Sequence, residues 1–370
     1  MKNSLKIDRS DTISASLLFF VITTTQIGIG IHGFQRIVYE DAKQDAWISV
    51  LLAGLATHII VFFMLKTLQL YTSNDVYGIH QDVYGKWIGN FFNVIYISYC
   101  FFAFFVVLRN YIEVVQTWVF PGMGTWFLVA SMLLVVMYAY TGGLRVIVGV
   151  AFFSFFLSLV LLPMLAFSIT YAEPRNLLPI FEANIGEILK GAKSMTFSII
   201  GFEILYVIYP FVGDKENAKK NIHLGLLVTT FVYLITMLIA LTYFSGEQLI
   251  KTVWATLSLF SVVKFPFVER MEYIAISFWM LLILPNLCLF LWSAYRGTSR
   301  LVKISMKKFL WIFSFLIFIA SISFQTRNQI NTFNNYYSEV SFYFIFVYPI
   351  FLYLAAVARK RLRSRKEPIE

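Results

Sequence analysis

The sequence predicts an all-α integral membrane protein, and three of its features support that fold class. Apolar residues make up 59% of the 370 residues and charged residues only 14%, whereas a soluble domain carries about 25% charged residues. The apolar residues fall in continuous runs rather than in alternation, which excludes a transmembrane β-barrel. Fifty-nine per cent of the chain is about 218 residues, and at roughly 20 residues per span they provide for about ten helices.

Ten apolar runs follow one another along the chain in windows of about 19 residues. The stretch 252–263 is also apolar, but it is too short to span a bilayer and is predicted to be interfacial or re-entrant. The predicted spans are 12–38, 45–70, 88–112, 123–141, 146–171, 191–212, 222–244, 271–295, 307–324 and 339–358.

The distribution of basic residues predicts the orientation of these spans. Lys2, Lys6 and Arg9 precede a first run that is longer than the apolar region of a signal peptide, so we expect an uncleaved span there. Over alternate loops, 20 of the 30 Lys and Arg residues fall on the side of the termini and 10 on the other side. Positive residues are retained in the cytoplasm, which places both termini there, with 359–370 as a basic cytoplasmic tail. The net charge of +10 therefore concerns topology and membrane lipid, and nucleic acid is not an expected partner.

Catalytic and metal-binding motifs are absent from the sequence. Cys100 and Cys288 both lie inside apolar runs, so neither a disulfide framework nor a cysteine metal site is expected. His32 and His58 have no His or Glu at the spacing of metal ligands, and there is no P-loop, GxSxG or HExxH motif. We therefore expect no metal, no cofactor and no enzymatic activity from a single transmembrane domain that spans 1–370.

Glycine clusters interrupt the first spans of the two halves of the chain. Span 1 contains Gly28 and Gly30 within QIGIGIHG, and span 6 contains Gly201 within SIIGFE. Because each half has five spans, the second half begins on the opposite side of the membrane, as two inverted repeats require, here about 12–171 and 191–358. Paired interruptions predict a site at the bilayer midplane, where freed N–H groups bind a carboxylate and freed carbonyls bind an amine, as in an amino acid. The alternative is that the glycines serve only close helix packing.

Polar side chains inside the spans are further candidates for this site. Glu203 is the carboxylate placed deepest in an apolar span, where ionisable groups are costly and by default functional. It can exchange a proton or contact a ligand, or it can stay neutral and cap broken backbone. Tyr96 and Cys100 share one face of span 3. Pro285 and Asn286 are expected to interrupt span 8 and to present an amide at mid-depth, toward a cavity or toward a neighbouring helix.

Several motifs together resemble a known family. They are QIGIG in span 1, VYGKWIG before span 3, NLLPIFEANIGEILKGA leading into SIIGFE, and WATLSLF with FPFVERMEYIAISFW before span 8. In layout and in these motifs, the chain resembles the B subunit of bacterial spore germinant receptors, and the resemblance covers essentially its whole length. That family belongs to the amino acid–polyamine–organocation transporter superfamily.

The resemblance implies the LeuT-like fold of that superfamily, with helices 1 and 6 broken. It also implies a subunit in the inner membrane of the spore that works with A and C subunits to sense a small nutrient and trigger germination. A neutral amino acid is the first expectation for the germinant, with nucleosides and sugars left open, and the alternative function is a proton-coupled amino acid transporter that uses Glu203. The ligand would lie between spans 1, 3, 6 and 8. The expected ligand-binding residues, Glu203 included, are Gly28, Gly30, Tyr96, Cys100, Gly201, Phe202, Glu203 and Asn286.

Overall fold

A computed structural model describes most of the chain, and its regular elements are all helical. The basic residues Lys2, Lys6 and Arg9, the segment 264–269 and the last six residues of the predicted tail lie outside the described residues. Within the described part of the chain there is one isolated parallel bridge, between Ile13 and Val212, and no strand. The described residues are Ile7, 11–71, 73–263 and 270–364.

The helices vary from one turn to 33 residues. The α-helices are α1 Leu17–Gln26, α2 Phe34–Ala42, α3 Ala46–Leu70, α4 Val76–Tyr84, α5 Lys86–Trp118, α6 Thr125–Thr141, α7 Gly143–Leu165, α8 Ile185–Ser194, α9 Thr196–Ile199, α10 Leu205–Ile208, α11 Lys215–Tyr243, α12 Gly246–Lys251, α13 Ala255–Ser261, α14 Met271–Leu301, α15 Met306–Ser323, α16 Arg327–Ser341 and α17 Tyr348–Ser364. The short 3₁₀ turns are Ile29–His32, Lys43–Asp45, Ala166–Tyr171, Pro174–Leu177, Phe202–Ile204 and Tyr209–Phe211, and a π-helical turn covers Phe342–Val347.

Seven helical segments of the described ranges are long and apolar enough to cross a membrane, so the protein is a multi-pass integral membrane protein. They are Phe34–Leu70, Lys86–Trp118, Gly143–Tyr171, Lys215–Tyr243, Met271–Leu301, Met306–Ser323 and Arg327–Arg363. Shorter apolar helices fall in predicted spans 1, 4 and 6: Leu17–Gln26, Thr125–Thr141 and Phe202–Phe211. The stretch 252–263 contains α13, whose seven residues measure about 10 Å, too short to cross.

The last span begins earlier than the sequence predicts. Predicted span 10 covers 339–358, whereas α16 begins at Arg327 and continues through the π turn into α17. Thr326 and Gln329 form a capping box, in which each side chain accepts a hydrogen bond from the other residue's backbone N–H. The segment is rich in Asn and Gln, so a hydropathy window passes over it even though its capping residues mark a helix start.

Pro285 does not interrupt its helix, contrary to the prediction for span 8. α14 runs without a break from Met271 to Leu301. A proline removes one backbone donor and frees the carbonyl four residues earlier, which here belongs to Leu281. The Ser154 hydroxyl of α7 donates to that carbonyl at 2.6 Å. Because a neighbouring side chain satisfies the freed carbonyl, the helix continues through the proline.

The long helices pack around the two short, interrupted ones. α14 lies along α5 and α7, α1 packs against α11 and α7, and α3 packs against α8, α11 and α17. The backbone bridge joins the start of the first interrupted segment to the end of the second. Ile13 N–H donates to the Phe211 carbonyl at 2.9 Å, and Gly213 N–H donates to the Ile13 carbonyl at 3.0 Å. Residues 200–204 are all buried, as are most of 26–33, so both interruptions lie in the interior of the bundle.

Candidate binding site at two interrupted helices

The first interruption separates α1 from α2. α1 ends at Gln26, Gly28 follows with φ −91° and ψ −150°, and one 3₁₀ turn precedes α2. Side chains of α14 satisfy carbonyls at this break. Asn286 Nδ2 donates to the Thr25 carbonyl at 3.1 Å, and Trp279 Nε1 donates to the Gly28 carbonyl at 3.2 Å. Since unpaired carbonyls are costly inside a membrane, these bonds stabilise the break.

The second interruption separates α9 from α10. α9 ends at Ile199, and Gly201 takes φ +121°, a conformation that glycine adopts at little cost. A Cβ atom added at Gly201 would collide with the carbonyl of Thr25. Glycine is therefore needed here both for the backbone conformation and for the close approach of the first interrupted helix.

Two side chains hold the interruptions side by side. Gln26 Nε2 donates to the Ile199 carbonyl at 2.7 Å. The Tyr233 hydroxyl of α11 lies 3.0 Å from the Gln26 carbonyl and 2.6 Å from the Ser198 carbonyl. Each break is thus stabilised by contacts to the other break and to a third helix.

Glu203 is buried in the second interruption and is held by hydrogen bonds on both carboxylate oxygens. The Tyr99 hydroxyl donates to Oε1 at 2.6 Å, and Gly201 N–H donates to Oε2 at 2.7 Å. The Tyr96 hydroxyl donates to the Glu203 backbone carbonyl at 3.0 Å. Of the two roles that the sequence leaves open, this geometry fits a cap on the broken backbone.

A small cavity of about 30 Å³ lies between the two interruptions, with room for about two water molecules. Half of the predicted site residues line it, namely Gly28, Gly30, Gly201 and Asn286. The other half are buried but do not line it, namely Tyr96, Cys100, Phe202 and Glu203. The rest of the lining is Thr25, Gln26, Ile29, Ala103, Val106, Val107, Phe197, Ser198, Ile200, Phe290 and Tyr337.

Packing explains why the second half of the predicted set lies outside the lining. The Tyr96 ring packs edge-on against Tyr77 of α4, and Cys100 Sγ lies 3.4 Å from the Ser293 hydroxyl of α14. Phe202 packs edge-on against Phe346. These side chains therefore pack around the interruptions and do not line the cavity.

Two residues that line the cavity each carry an amide oxygen with no hydrogen-bond partner among the described residues. The two oxygens are Oε1 of Gln26 and Oδ1 of Asn286, on side chains that are 1% and 2% exposed. Buried polar atoms are paired in the great majority of native structures. Two unpaired acceptors on residues that line one cavity are therefore suited to bind donors of a small ligand.

A vestibule of about 450 Å³ adjoins the cavity. Ile29, Gly30, Phe197 and Ser198 line both spaces, so this narrow layer separates them. Charged and amide side chains form much of the vestibule wall: Arg36, Glu40, Lys190, Lys193, Arg327, Glu339, Asn110, Asn331, Asn334 and Asn335. Lys193 pairs with Glu339 at 2.8 Å.

Arg327 joins three elements at the rim of the vestibule. Its Nη1 lies 2.7 Å from Glu113 Oε1 of α5. Its guanidinium lies 4.6 Å from the ring centre of Trp254, in the segment between α12 and α13. That segment lines the vestibule through Val253 and Trp254, so it covers part of the mouth.

The opposite end of the bundle is closed by buried polar contacts. Asp75, at the start of α4, is fully buried and pairs with Arg300 at 2.8 Å and Arg296 at 3.8 Å on α14. Burial raises the pKa of Asp75, and the two arginines oppose that shift. Burial lowers the pKa of His80 to about 4, so its imidazole is neutral at pH 7 and bridges Asn93 at 2.8 Å and the Tyr348 hydroxyl at 2.9 Å. This closed end links α4 to α5, α14 and α17.

Sequence reasoning misses more than half of the cavity lining. Ala103 and Val107 continue the face of Tyr96 and Cys100 at spacings of three and four residues, so that face could have been extended toward the cavity. Tyr337 lies in the part of the last span that the predicted boundary excludes. The sequence spacing also gives no sign of the partner of His58, whose Nδ1 lies 2.9 Å from Nδ1 of His223 on a distant helix.

These features define a multi-pass α-helical membrane protein with two interrupted helices around a small polar cavity. Comparison with known proteins gives its family. The family model described as "Spore germination protein", of spore permeases, matches residues 12–330, and the chain belongs to that family. The family is one of germination permeases and receptor subunits rather than a class of enzymes.

Relatives of the same length support this assignment. The chain is 38% identical over 351 residues to the spore germination protein GerQB of Bacillus cereus, covering 95% of this chain and 97% of that protein. It is 25% identical to the spore germination protein YndE of Bacillus subtilis, covering 94% and 97%. Spore germination protein A2 of Bacillus subtilis is 21% identical, with coverage of 93% and 95%.

Proposed function

We propose that this protein is the ligand-sensing membrane subunit of a spore germinant receptor, and that the germinant binds between the two interruptions. The observation that carries the proposal concerns Gln26 and Asn286, which line a cavity between two broken helices. Each has a buried amide oxygen that finds no partner within the described part of the chain. The family membership supplies the context of germination.

The proposed architecture is ten helices in two inverted repeats of five, about 12–171 and 191–358, as in the LeuT-like fold. Its support is the matched position of the interruptions, at Gln26–Gly33 in the first half and at Ile200–Ile204 in the second. Three short apolar helices and seven long ones together account for ten segments. Inverted repeats place such interruptions at the midplane, where transporters of this type bind their substrates.

The chemistry of the cavity favours a small ligand with a cationic donor. Amide oxygens accept hydrogen bonds from an ammonium group, and Gln26 and Asn286 provide two such oxygens on neighbouring helices. The nearby wall of Ala103, Val106 and Phe290 is apolar. Together these features suit a neutral amino acid, while a nucleoside or sugar would use the same oxygens for its hydroxyl groups.

Ligand entry requires a conformational change at the vestibule. The cavity of about 30 Å³ is too small for an amino acid, and Phe197 and Ser198 lie between it and the vestibule. We infer that the germinant enters through the vestibule and displaces Phe197. A ligand shifts such an equilibrium by its differential affinity for the two conformations, and that shift is the signal.

The orientation and the assembly follow from the same proposal. With both termini in the cytoplasm, the vestibule opens to the outer side of the spore inner membrane and the Asp75 cluster closes the cytoplasmic side. The A and C subunits of the receptor are the proposed partners that receive the signal. The relatives named as germination proteins support a role in such an assembly.

The test is a germinant screen on spores that lack this gene. We expect germination by one class of nutrient to be lost and to recover when the gene is restored, and neutral amino acids are tested first. Germination by every nutrient at the parental rate would contradict the proposal. Uptake of the same labelled nutrient by the purified protein alone in proteoliposomes, driven by a proton gradient, would instead establish the alternative, a proton-coupled amino acid transporter.

A further inference from the structure

We propose that α3 and α11 bind one anionic phospholipid at the closed end of the protein, outside the germinant site. Lys66 of α3 and Lys219 of α11 converge on the ring of Phe62, with their ammonium groups 5.5 Å and 6.0 Å from the ring centre. Both lysines are exposed. Among the described residues, no carboxylate lies within 4.0 Å of either ammonium group.

The two helices carry matching rows of side chains. On α3, His58, Phe62 and Lys66 follow one another at intervals of four residues. On α11, which runs antiparallel to α3, Lys219 and His223 are also four residues apart. Residues four apart share a helix face. The antiparallel rows bring His58 beside His223 and Lys219 beside Phe62, and none of these residues lines the cavity.

A histidine pair lies deeper along the same surface. The Nδ1 atoms of His58 and His223 are 2.9 Å apart, and the rings are parallel within 8°. One Nδ1 must donate to the other, so in a neutral pair the accepting ring carries its proton on Nε2. Neither Nε2 atom has a hydrogen-bond partner among the residues that the structure describes. The pair thus offers an N–H group to a molecule outside the protein.

The spacing of these groups matches the parts of a phospholipid. His223 lies about 6 Å along its helix from Lys219, and His58 about 12 Å from Lys66. Beyond the histidines the surface is apolar and exposed. Its side chains are Leu55, Ile59, Leu224, Leu227 and Phe231. In the proposed complex the phosphate binds the two ammonium groups, a glycerol ester accepts from the histidine N–H, and an acyl chain lies along the apolar surface.

Charge selects the class of headgroup. Two lysines with no carboxylate partner in the described ranges favour a net negative headgroup over a zwitterionic one. Basic pockets between membrane helices at the cytoplasmic face bind acidic lipids in this manner. Each lysine near the membrane surface contributes about 1 kcal/mol to such binding. Two lysines therefore correspond to about a 30-fold change in affinity.

The experiment measures lipid binding to the full-length purified protein by native mass spectrometry, with phosphatidylglycerol and phosphatidylcholine as probes. We expect one phosphatidylglycerol to be retained, with about 30-fold weaker binding in the Lys66→Gln/Lys219→Gln variant. Lys66→Arg/Lys219→Arg should keep the affinity, which distinguishes lost charge from misfolding. Lys307→Gln/Lys308→Gln, which removes two exposed lysines at the start of α15, is the matched control and should bind as the parent protein does.

Three results would overturn the proposal. The first is equal retention of phosphatidylcholine and phosphatidylglycerol by the parent protein. The second is an equal loss of phosphatidylglycerol in the α15 control, which would mean that general surface charge attracts the lipid. The third is thermal stabilisation by inorganic phosphate equal to that by phosphatidylglycerol, which would identify a site for free phosphate.

Discussion

The two interruptions differ in how their polar groups are satisfied. In the second, Glu203 binds Gly201 N–H of its own helix and the Tyr99 hydroxyl, so both carboxylate oxygens are occupied. In the first, Gln26 and Asn286 each use the amide nitrogen to bind backbone and leave the oxygen without a partner in the described chain. We infer that the second interruption is a fixed support and the first is the side that responds to ligand.

The largest expected effect is at the fixed support. Gly201→Ala should prevent normal folding, because alanine is strained at φ +121° and its Cβ meets the Thr25 carbonyl. A left-handed conformation alone costs a residue other than glycine about 1–2 kcal/mol, and the collision adds to that. Membrane abundance and the midpoint of thermal unfolding are the measurements, and we expect a severalfold loss of folded protein.

Gly149→Ala is the control for this substitution. Gly149 lies inside α7, and an added Cβ there meets no atom within 4 Å. Alanine favours a helix over glycine by about 1 kcal/mol, so folded protein should be retained. If Gly201→Ala accumulates and unfolds as Gly149→Ala does, the second interruption is not a fixed support.

The next largest effect compares two glycines within the first interruption. A Cβ at Gly30 would lie 2.7 Å from Ser198 Cα, whereas a Cβ at Gly28 would lie at ordinary contact distances, 3.4 Å from Asn286 Nδ2 and 3.9 Å from the Thr25 carbonyl oxygen. Gly30→Ala should therefore displace the layer between vestibule and cavity and raise the germinant concentration for half-maximal germination by about 30-fold, or about 2 kcal/mol. Gly28→Ala should raise it by less than about threefold. Equal dose-response curves for the two variants would contradict the proposed entry route.

Sequence patterns predict the interruptions better than they predict the cavity. Glycine beside polar residues identifies Gly28, Gly30 and Gly201, because a broken helix in a membrane needs both backbone freedom and polar partners. The partners of the freed carbonyls, such as Trp279 and Tyr233, come from distant helices whose rotation no sequence period fixes. The continuity of α14 likewise depends on Ser154 of another helix, so Pro285 alone predicts a break that tertiary contacts prevent.

A smaller effect is expected from the amide at the first interruption. Asn286→Ala removes the amide oxygen proposed to bind the ligand and the hydrogen bond to the Thr25 carbonyl. The half-maximal germinant concentration should therefore rise about tenfold, the equivalent of about 1.4 kcal/mol. Tyr111→Phe is the control, because it also removes one hydrogen bond to α14, between the Tyr111 hydroxyl and the Ile276 carbonyl at 3.1 Å, away from the cavity. Equal shifts in the two variants would assign Asn286 to helix packing alone.

The smallest effect is expected at Glu203 and tests its role as a cap. Glu203→Gln keeps an oxygen to accept from Gly201 N–H and an amide to donate to the Tyr99 hydroxyl, so the half-maximal germinant concentration should change by less than about threefold. Glu203→Leu removes both hydrogen bonds in a buried site, those to Gly201 N–H and to the Tyr99 hydroxyl. A buried group that loses its partner costs about 1–3 kcal/mol, so the amount of folded protein should fall. The measurement is the dose-response curve of both variants from pH 6 to 8. The contradicting result is a glutamine variant that folds normally but no longer responds to germinant, while the parent's response varies with pH. Glu203 would then exchange a proton, and the second interruption would not be a fixed support.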